Sequence, residues 1–328
     1  MAARPGGAWM FYYDHGLFLT RGRLAIDVRR RQARGFISHA HTDHMAPHEV
    51  AYCTPGTARL YAHRHGDHRR TVEMPYRRRL EFEGQQLSAW PAGHVLGSAM
   101  LLVEDDRGSL LYTGDFKLGP SATAEPAELP RADLLVIEST YGQPRYRLPP
   151  RQEIVARLLG LVGDVLDAGR TPVLHAYVLG KAQEVTRLLT DAGIRVLQHP
   201  LVYAVSRVYE AAGCPLGDVA EYPGFPSAGC AVVVPPRGQR AVRLEGLEQG
   251  VAIAVTGWAI DSGARYRLGV DHALPLSDHA DYDELIEAVR QVAPRRVYCT
   301  HGPESFVARL VEQGFDAQPL SGVGPRGL

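Results

Sequence analysis

A pattern of three histidines and one aspartate, His-x-His-x-Asp-His, occurs twice within a short stretch of the sequence. Residues 37–47 read ISHAHTDHMAP, and residues 61–70 read YAHRHGDHRR. Imidazole and carboxylate groups at this spacing are typical of a divalent metal site, which requires several side chains to converge from a rigid backbone. The candidate ligands are His39, His41, Asp43 and His44 in the first copy and His63, His65, Asp67 and His68 in the second.

The first copy has the local structure that a metal site requires. It follows an apolar segment, RGFISHA, which predicts a buried strand, and its spacer residues Ala40 and Thr42 are small. In an extended segment His39 and His41 point to the same side, because successive side chains alternate between the two faces of a strand. We therefore expect the first copy to bind metal.

The second copy lies at the end of a predicted helix. Thr54 is a suitable N-cap, Pro55 suits the first helical position, and Gly66 suits the end of the helix. Residues two apart on a helix point in different directions, and the spacer Arg64 would place a cation beside the metal. A solvated helix end explains this copy without metal, so we interpret the repeat as accidental.

Three further candidate ligands each follow an apolar strand and stand near glycine. His94 lies in WPAGHVLGSA, Asp115 in LLYTGDF and His301 in VYCTHGPE. A single polar residue at a strand end is ordinary, but three with the same context indicate convergence on one site. A mixture of imidazole and carboxylate suits zinc, with manganese as the alternative, rather than an ion bound by thiolates.

Composition excludes several classes of protein. The chain has 328 residues, 45% hydrophobic and 22% charged, with a net charge of +0, so no global field attracts it to nucleic acid. No apolar run is long enough to span a bilayer, and MAARPGGAWMFYYDHG at the start lacks the apolar core of a secretory signal. The cysteines are scattered, which indicates neither a zinc ribbon nor a disulfide framework. A cytoplasmic location is the default expectation.

The pattern of predicted elements changes twice along the chain. Residues 1–148 are rich in short strands, whereas residues 149–267 alternate helices with apolar strands in the rhythm of a parallel α/β sheet. Residues 268–328 then predict a helix capped by Asp281 and a final strand. We therefore expect a first domain, 1–148 with 268–328, that is interrupted by an inserted domain at 149–267.

Taken in order, the candidate ligands resemble the metal motifs of the metallo-β-lactamase fold. VIESTYG around Glu138, SDHADYDEL around His279 and the final His301 are similar to the motifs of its β-CASP nuclease branch. That branch includes the cleavage-and-polyadenylation endonuclease, RNase J and the Artemis-type DNA nucleases. The chain length, YVLGKAQE and SDHADY most resemble the bacterial ligase-associated DNA exonucleases, which are encoded beside an ATP-dependent DNA ligase and a helicase.

The resemblance implies an αββα sandwich with an inserted parallel-sheet β-CASP domain and an active site in the cleft between them. It also implies two divalent ions. The first would be held by His39, His41 and His94, and the second by Asp43, His44 and His301, with Asp115 between the two. Asp27, in LAIDV, corresponds to the aspartate that supports the motif loop.

The same resemblance implies a mechanism. A hydroxide activated by the metals would attack a backbone phosphate, with Asp43, His279 and Glu138 as catalytic residues. His279 would protonate the leaving 3′ oxygen and Glu138 would orient it; alternatively, both only support the metal loops. Lys181, at a predicted helix start, is expected either to bind a phosphate or to be solvated, and Ser139 and Thr140 are further candidates for substrate binding.

The expected function is a DNA exonuclease in DNA repair, with DNA rather than RNA as the expected substrate. A ribonuclease of the same branch is the alternative, because His301 is commoner in the RNA-processing members. A small-molecule hydrolase would not need so large an inserted domain. A scaffold protein without activity would be expected to have lost metal ligands, whereas here every expected ligand is present.

Overall fold

The computed structural model describes residues 10–237 and 244–323. The first nine residues, part of the segment considered for a secretory signal, lie outside this range. The chain forms two compact units. Unit 1 comprises the residues up to Leu118, Glu125–Arg145 and the residues from Ala280 onward, and unit 2 comprises Gly119–Ala124 and Tyr146–His279.

The first sheet of unit 1 is built from short strands in chain order. Its strands are β1 (Phe11–Tyr13), β2 (Leu17–Leu19), β3 (Ala25–Ile26), β4 (Arg34–Phe36), β5 (Val50–Cys53) and β6 (Arg70–Glu73). The first three strands run antiparallel, and β3 to β6 run parallel. The first histidine motif follows β4, at the end of an apolar strand as predicted.

The second sheet of unit 1 brings the remaining strand ends together. Its order is β19 (Ala317–Pro319), β18 (Arg296–Thr300), β11 (Leu134–Glu138), β10 (Gly108–Tyr112), β9 (Ala99–Asp105), β8 (Gln85–Pro91) and β7 (Arg79–Phe82). Strands β10, β11 and β18 run parallel to one another. Their carboxyl ends therefore lie at one edge of the sheet, where Glu138 ends β11, Asp115 follows β10 and His301 follows β18.

Both faces of the second sheet are buried, and its side chains alternate accordingly. On β9, Leu101 and Val103 join the apolar core shared with the first sheet, whereas Met100 and Leu102 join a second core on the opposite face. That second core is covered by α6 (Tyr282–Val292) and α7 (Glu304–Glu312). The layers are those of the expected α/β sandwich.

The helices of unit 1 begin where their capping residues predict. Helix α1 (Pro55–His65) has Thr54 as N-cap, whose hydroxyl accepts from the Thr57 amide, and it ends at Gly66 with φ 91°. Helix α6 has Asp281 as N-cap, in a capping box with Glu284. These predictions from the sequence are confirmed.

Unit 2 is built on a parallel sheet. Its order is β14 (Val219–Glu221), β13 (Arg195–Gln198), β15 (Cys230–Val234), β12 (Pro172–His175), β16 (Val251–Val255) and β17 (His272–Leu274). The helices are α2 (Arg151–Asp167), α3 (Lys181–Asp191), α4 (Pro200–Ala211) and α5 (Ala264–Leu268). An apolar face of α2, with Ile154 and Leu158 buried, packs against the sheet.

The extent of unit 2 differs from the boundaries expected for the inserted domain. Unit 2 begins at Tyr146, close to the expected 149, but it continues to His279 rather than ending at 267. The reason is that β17 pairs with β16, which extends the parallel sheet by one strand. The segment Gly119–Ala124 also belongs to unit 2, and nothing in its composition distinguishes it from the surrounding loop.

Two expectations about the whole chain can be compared with the structure. The four cysteines are free, and Cys53, Cys230 and Cys299 are buried. None of the helices in residues 10–237 and 244–323 combines the length and the apolar character that a bilayer crossing requires.

Gly160 and Gly35 provide a test of the packing. Gly160 is exposed within α2 and a methyl group there would meet nothing within 4 Å, so Gly160→Ala should raise the free energy of unfolding by about 0.5–1 kcal/mol. At Gly35, in β4, the same methyl group would overlap the ring of His48. We expect Gly35→Ala to lower the free energy of unfolding by about 1–3 kcal/mol. Urea unfolding of both variants measures the difference, and equal effects would contradict the described packing.

Candidate metal centre

Three histidine ring nitrogens of unit 1 converge on one point. Nδ1 of His41 lies 3.0 Å from Nε2 of His39 and 3.1 Å from Nε2 of His94. Nitrogens bound to one zinc at about 2.0–2.1 Å in tetrahedral geometry lie roughly 3.3 Å apart, so these separations fit a shared ion. His39 and His94 are buried, so their ring positions are set by packing.

Asp115 belongs both to this histidine group and to a second one. Its Oδ2 lies 3.6 Å from Nε2 of His39 and 3.3 Å from Nε2 of His44, and its Oδ1 lies 4.0 Å from Nδ1 of His301. The ligand atoms of His39, His41, His94 and Asp115 all lie within 4.8 Å of one another, as do those of His44, Asp115 and His301. One buried carboxylate thus stands where two metal positions would meet.

Asp43 and His301 are the exposed members of the predicted ligand set. The Asp43 side chain is 59% exposed and its Oδ2 lies 3.9 Å from Nε2 of His44, outside the two groups described above. The His301 side chain is 50% exposed, and its backbone has φ 53°, which is uncommon for a residue other than glycine. These two residues form the open side of the centre.

Asp27 supports the motif loop through four hydrogen bonds. Its carboxylate accepts from the backbone N–H of Ser38 (2.8 Å), the hydroxyl of Ser38 (2.5 Å), Nδ1 of His44 (2.9 Å) and the hydroxyl of Tyr112 (2.8 Å). The role expected for Asp27 thus matches its contacts.

These contacts also determine which ring nitrogens face the metal positions. The Ser38 hydroxyl donates to Asp27, so its oxygen accepts from Nδ1–H of His39 at 3.0 Å. Nδ1–H of His44 donates to Asp27 in the same way. In neutral rings both Nε2 atoms then carry lone pairs that point toward Asp115, which is the arrangement that a metal ligand requires.

The environment shifts the pKa of the two motif histidines in opposite directions. Burial lowers the pKa of His39 well below its usual value, and the nearby imidazoles of His44 and His94 add to this effect. Burial also opposes protonation of His44, but the carboxylates of Asp115 and Asp27 outweigh it and raise the pKa of His44. A lowered pKa favours the neutral, ligating form of His39, whereas a raised pKa means that a cation would compete with a proton for His44.

Tyr112 was missed by the sequence analysis. Burial and the adjacent Asp27 raise the pKa of Tyr112 well above its usual value, so its hydroxyl remains a donor to that carboxylate. The available signal was its position three residues before Asp115, which places both at the end of β10. A tyrosine at a strand end is too common to be singled out without knowing that β10 reaches Asp27.

Glu138 and Ser139 connect the loops that carry Asp115 and His301. The buried Glu138 carboxylate accepts from the backbone N–H of Phe116 at 3.1 Å and of Thr140 at 3.2 Å. The buried Ser139 hydroxyl donates to the Thr300 carbonyl at 3.0 Å, immediately before His301. These contacts favour a supporting role for both residues, and substrate binding by Ser139 and Thr140 stays a prediction.

His279 is the last residue of unit 2 and Glu138 belongs to unit 1, so their predicted pairing stays a prediction. The residue after His279 is Ala280, whose N–H donates at 2.6 Å to the carbonyl of Phe116, next to Asp115.

Lys181 begins α3 as predicted, but it is 1% exposed and its ammonium pairs with Glu184. The alternative of a solvated Lys181 is therefore wrong.

The second copy of the histidine motif lies where the sequence predicts. His63 and His65 stand in the last turn of α1, and Asp67 and His68 follow that helix. Among residues 10–237 and 244–323, no group of three converging histidine, cysteine or carboxylate ligands includes a member of this copy.

Substitution of one histidine in each copy tests which copy binds metal. We expect His39→Ala to remove at least one bound ion per chain, because the remaining ligands can no longer surround the first position. His65→Ala is the matched control and should retain the wild-type metal content. Elemental analysis of both variants after dialysis measures the difference, and an equal loss from the two variants would contradict the assignment.

Comparison with known proteins supports the resemblance noted in the sequence. Residues 264–318 match the family described as "Zn-dependent metallo-hydrolase RNA specificity domain". A protein of Opitutus terrae named "Probable DNA ligase" is 37% identical over 317 residues, which cover 94% of this chain and 31% of that protein.

Two further relatives extend the comparison. An "RNase J-like protein" of Methanocaldococcus jannaschii is 30% identical over 179 residues, covering 47% of this chain and 42% of the relative. "5′ exonuclease Apollo" of Gallus gallus is 29% identical over 336 residues, covering 94% of this chain and 69% of the relative. The chain thus spans less than half the length of the Opitutus and Methanocaldococcus relatives. Its motifs, its sandwich and these matches all agree with the resemblance of the chain to the β-CASP branch of metallo-β-lactamase-fold nucleases.

Proposed function

We propose that this chain is a metal-dependent phosphodiester hydrolase that acts as a DNA exonuclease in DNA repair. The single observation that carries the proposal is the position of Asp115, whose carboxylate lies within 4.0 Å of His39, His44 and His301. A carboxylate shared between two histidine groups is suited to hold two divalent ions close together, as binuclear hydrolases do.

The residues present fit such a pair of ions. His39, His41 and His94 would hold the first, and His44, His301 and Asp43 the second, with Asp115 between them. Nitrogen and carboxylate donors favour zinc, with manganese as the alternative. Bound ions of this kind lower the pKa of water and offset the negative charge that builds up on phosphoryl oxygens.

The chain itself contributes orientation and proton transfer. Asp27 keeps Nε2 of His44 directed at Asp115, because its carboxylate accepts a hydrogen bond from Nδ1–H of the same ring. As the attacking water oxygen bonds to phosphorus and loses one proton to solvent, the bond from phosphorus to the 3′ oxygen breaks. The leaving oxygen keeps the electron pair and takes a proton from His279, our candidate general acid.

The choice of DNA rests on how far the similarity extends. The relatives named for DNA ligase and for 5′ exonuclease activity each match 94% of this chain, whereas the RNase J-like relative matches 47%. The ribonuclease alternative is favoured by one specific observation, the match of residues 264–318 to a family described by RNA specificity. His301 lies within that segment.

The name of the Opitutus relative bears on the partners of the chain. This chain corresponds to 31% of that protein, which is named for DNA ligase. We infer that the nuclease acts on DNA ends that a ligase afterwards joins. We also propose a helicase as a partner of the chain, as the resemblance implies.

The substrate can be identified with strands of one sequence made as DNA and as RNA. We expect the zinc- or manganese-loaded protein to shorten end-labelled DNA stepwise and to leave RNA intact, because the proposal is a DNA exonuclease. Gel analysis of 5′- and 3′-labelled strands measures this and gives the direction of digestion. Asp43→Ala is the control and should be inactive; preferential cleavage of RNA would instead support the ribonuclease.

The role of His279 makes a second prediction. His279→Ala should lower kcat on DNA by about 10²–10⁴-fold, the usual contribution of a general acid, with the metal content unchanged. His272→Ala changes an exposed histidine of the same unit and should retain full activity. Turnover of His279→Ala at the wild-type rate would show that His279 only supports the loop.

A further inference from the structure

A cluster of four charged residues in unit 2 takes no part in the chemistry described so far. Nζ of Lys181 donates to Oε2 of Glu184 at 2.7 Å, and Arg151 donates to the other oxygen of Glu184, also at 2.7 Å. Nζ of Lys181 also lies 4.0 Å from Oδ2 of Asp278. Two cations thus face two carboxylates, and the charges balance.

The central pair of the cluster, Lys181 and Glu184, is buried, so packing fixes the geometry of that pair. The side chains of Lys181 and Glu184 are 1% and 3% exposed, those of Asp278 and Arg151 14% and 22%. A lysine loses much hydration energy on burial, and it is tolerated there only when its ammonium is paired. Its partners determine where the ammonium lies, and a phosphate that bound it would have to compete with Glu184.

The backbone beneath Lys181 is held as firmly as its side chain. Gly180 has φ 92°, a conformation that glycine adopts without strain, and its N–H donates to Oε1 of Gln183. Gln183 is fully buried and donates in turn to the Val178 carbonyl and the Ser206 hydroxyl. Lys181 therefore starts α3 from a rigid support.

Asp278, whose carboxylate faces the ammonium of Lys181, is the residue before His279. The Ser277 hydroxyl donates to the His279 carbonyl at 3.0 Å and accepts from the His279 N–H at 2.9 Å, which closes a tight turn with Asp278 at its centre. The ammonium of Lys181 lies 4.0 Å from the carboxylate at the centre of that turn. The next residue along the chain is His279.

We propose that Lys181, paired with Glu184, is a positioning residue that holds the Asp278 turn and thereby aims His279 at the leaving oxygen. This inference rests on the proposed function, because it takes His279 as the general acid. It assigns Lys181 a role in kcat, whereas the phosphate-binding role expected from the sequence would act on substrate affinity. A misplaced catalytic group of this kind costs up to about 10²-fold in rate.

The test changes only the leaving atom of the substrate. The end-labelled products show which bridging oxygen leaves. A DNA strand with sulfur in place of that oxygen releases a thiolate when it is cleaved. A thiol is far more acidic than an alcohol, with an ordinary pKa of about 8.5, so the thiolate departs without a general acid. Binding contacts to the rest of the strand are unchanged.

We expect Lys181→Met and Asp278→Asn to lower kcat on ordinary DNA about 10–100-fold, with KM within about twofold and the metal content unchanged. On the sulfur-bridged strand both variants should turn over at about the wild-type rate. Arg187→Gln is the control, because it breaks the ion pair with Asp191 on the same helix and leaves the four-residue cluster unchanged, and it should keep the wild-type kcat on both strands. Asp278→Asn leaves the pair of Lys181 and Glu184 intact, so it decides the matter if Lys181→Met does not fold.

Two outcomes would overturn the inference. An equal loss on both strands would mean that Lys181 supports the fold rather than the acid, and a rise in KM with kcat unchanged would mean that it binds phosphate. His279→Ala on the same strands separates this failure from failure of the proposed function. If His279→Ala is rescued by sulfur and the other variants are not, only the positioning role is wrong; if His279→Ala loses nothing on ordinary DNA, the acid itself is wrong.

Discussion

The candidate centre depends on the hydrogen bonds that the buried carboxylate of Asp27 accepts. It accepts hydrogen bonds from Ser38 and His44 of the motif loop and from Tyr112 of β10, so it ties the first sheet of unit 1 to the second. Its backbone has φ 49°, a left-handed conformation that aspartate tolerates better than most residues. A buried carboxylate requires this many donors, since an unpaired one would cost several kcal/mol. The same hydrogen bonds determine which nitrogens of His39 and His44 are left to bind a cation.

The centre is arranged for binding at the expense of local stability. The polar side chains of His39, His41, His94 and Asp115 face one another within the protein, whereas water would hydrate each of them in the unfolded chain. An apolar core would avoid the cost of removing these groups from water. Such conflicts persist in folded proteins mainly at functional sites, where the surrounding packing overrides them. Here the two-sided burial of the second sheet provides that packing, because each of its central strands contributes to a core on both faces.

The strand ends explain how distant parts of the sequence reach one site. Strands β10, β11 and β18 are parallel neighbours, so the residues that follow them meet at one edge although they are far apart in sequence. Glu138 accepts a hydrogen bond from the loop after β10, and Ser139 donates one to the end of β18. Each loop is therefore held by the strand beside it. In unit 2, β12 and β17 are parallel strands of one sheet with β16 between them, and the segments that follow them bring Lys181 to 4.0 Å from Asp278. The supporting residues of both units are thus polar side chains that stand directly beside a functional one.

The local elements followed from the sequence alone. Thr54, Pro55 and Gly66 delimited α1, Asp281 marked the start of α6, and the candidate ligands could be identified because each follows an apolar strand. These signals are short-range, since caps and strand periodicity act within a few residues. Tertiary structure alone decided the rest: that Tyr112 reaches Asp27, that Ser139 bonds Thr300, that unit 2 extends through β17 to His279, and that Lys181 is buried against Glu184. Each of these depends on which strands and helices become neighbours, and that choice is made by burial summed over the whole chain rather than by any local pattern.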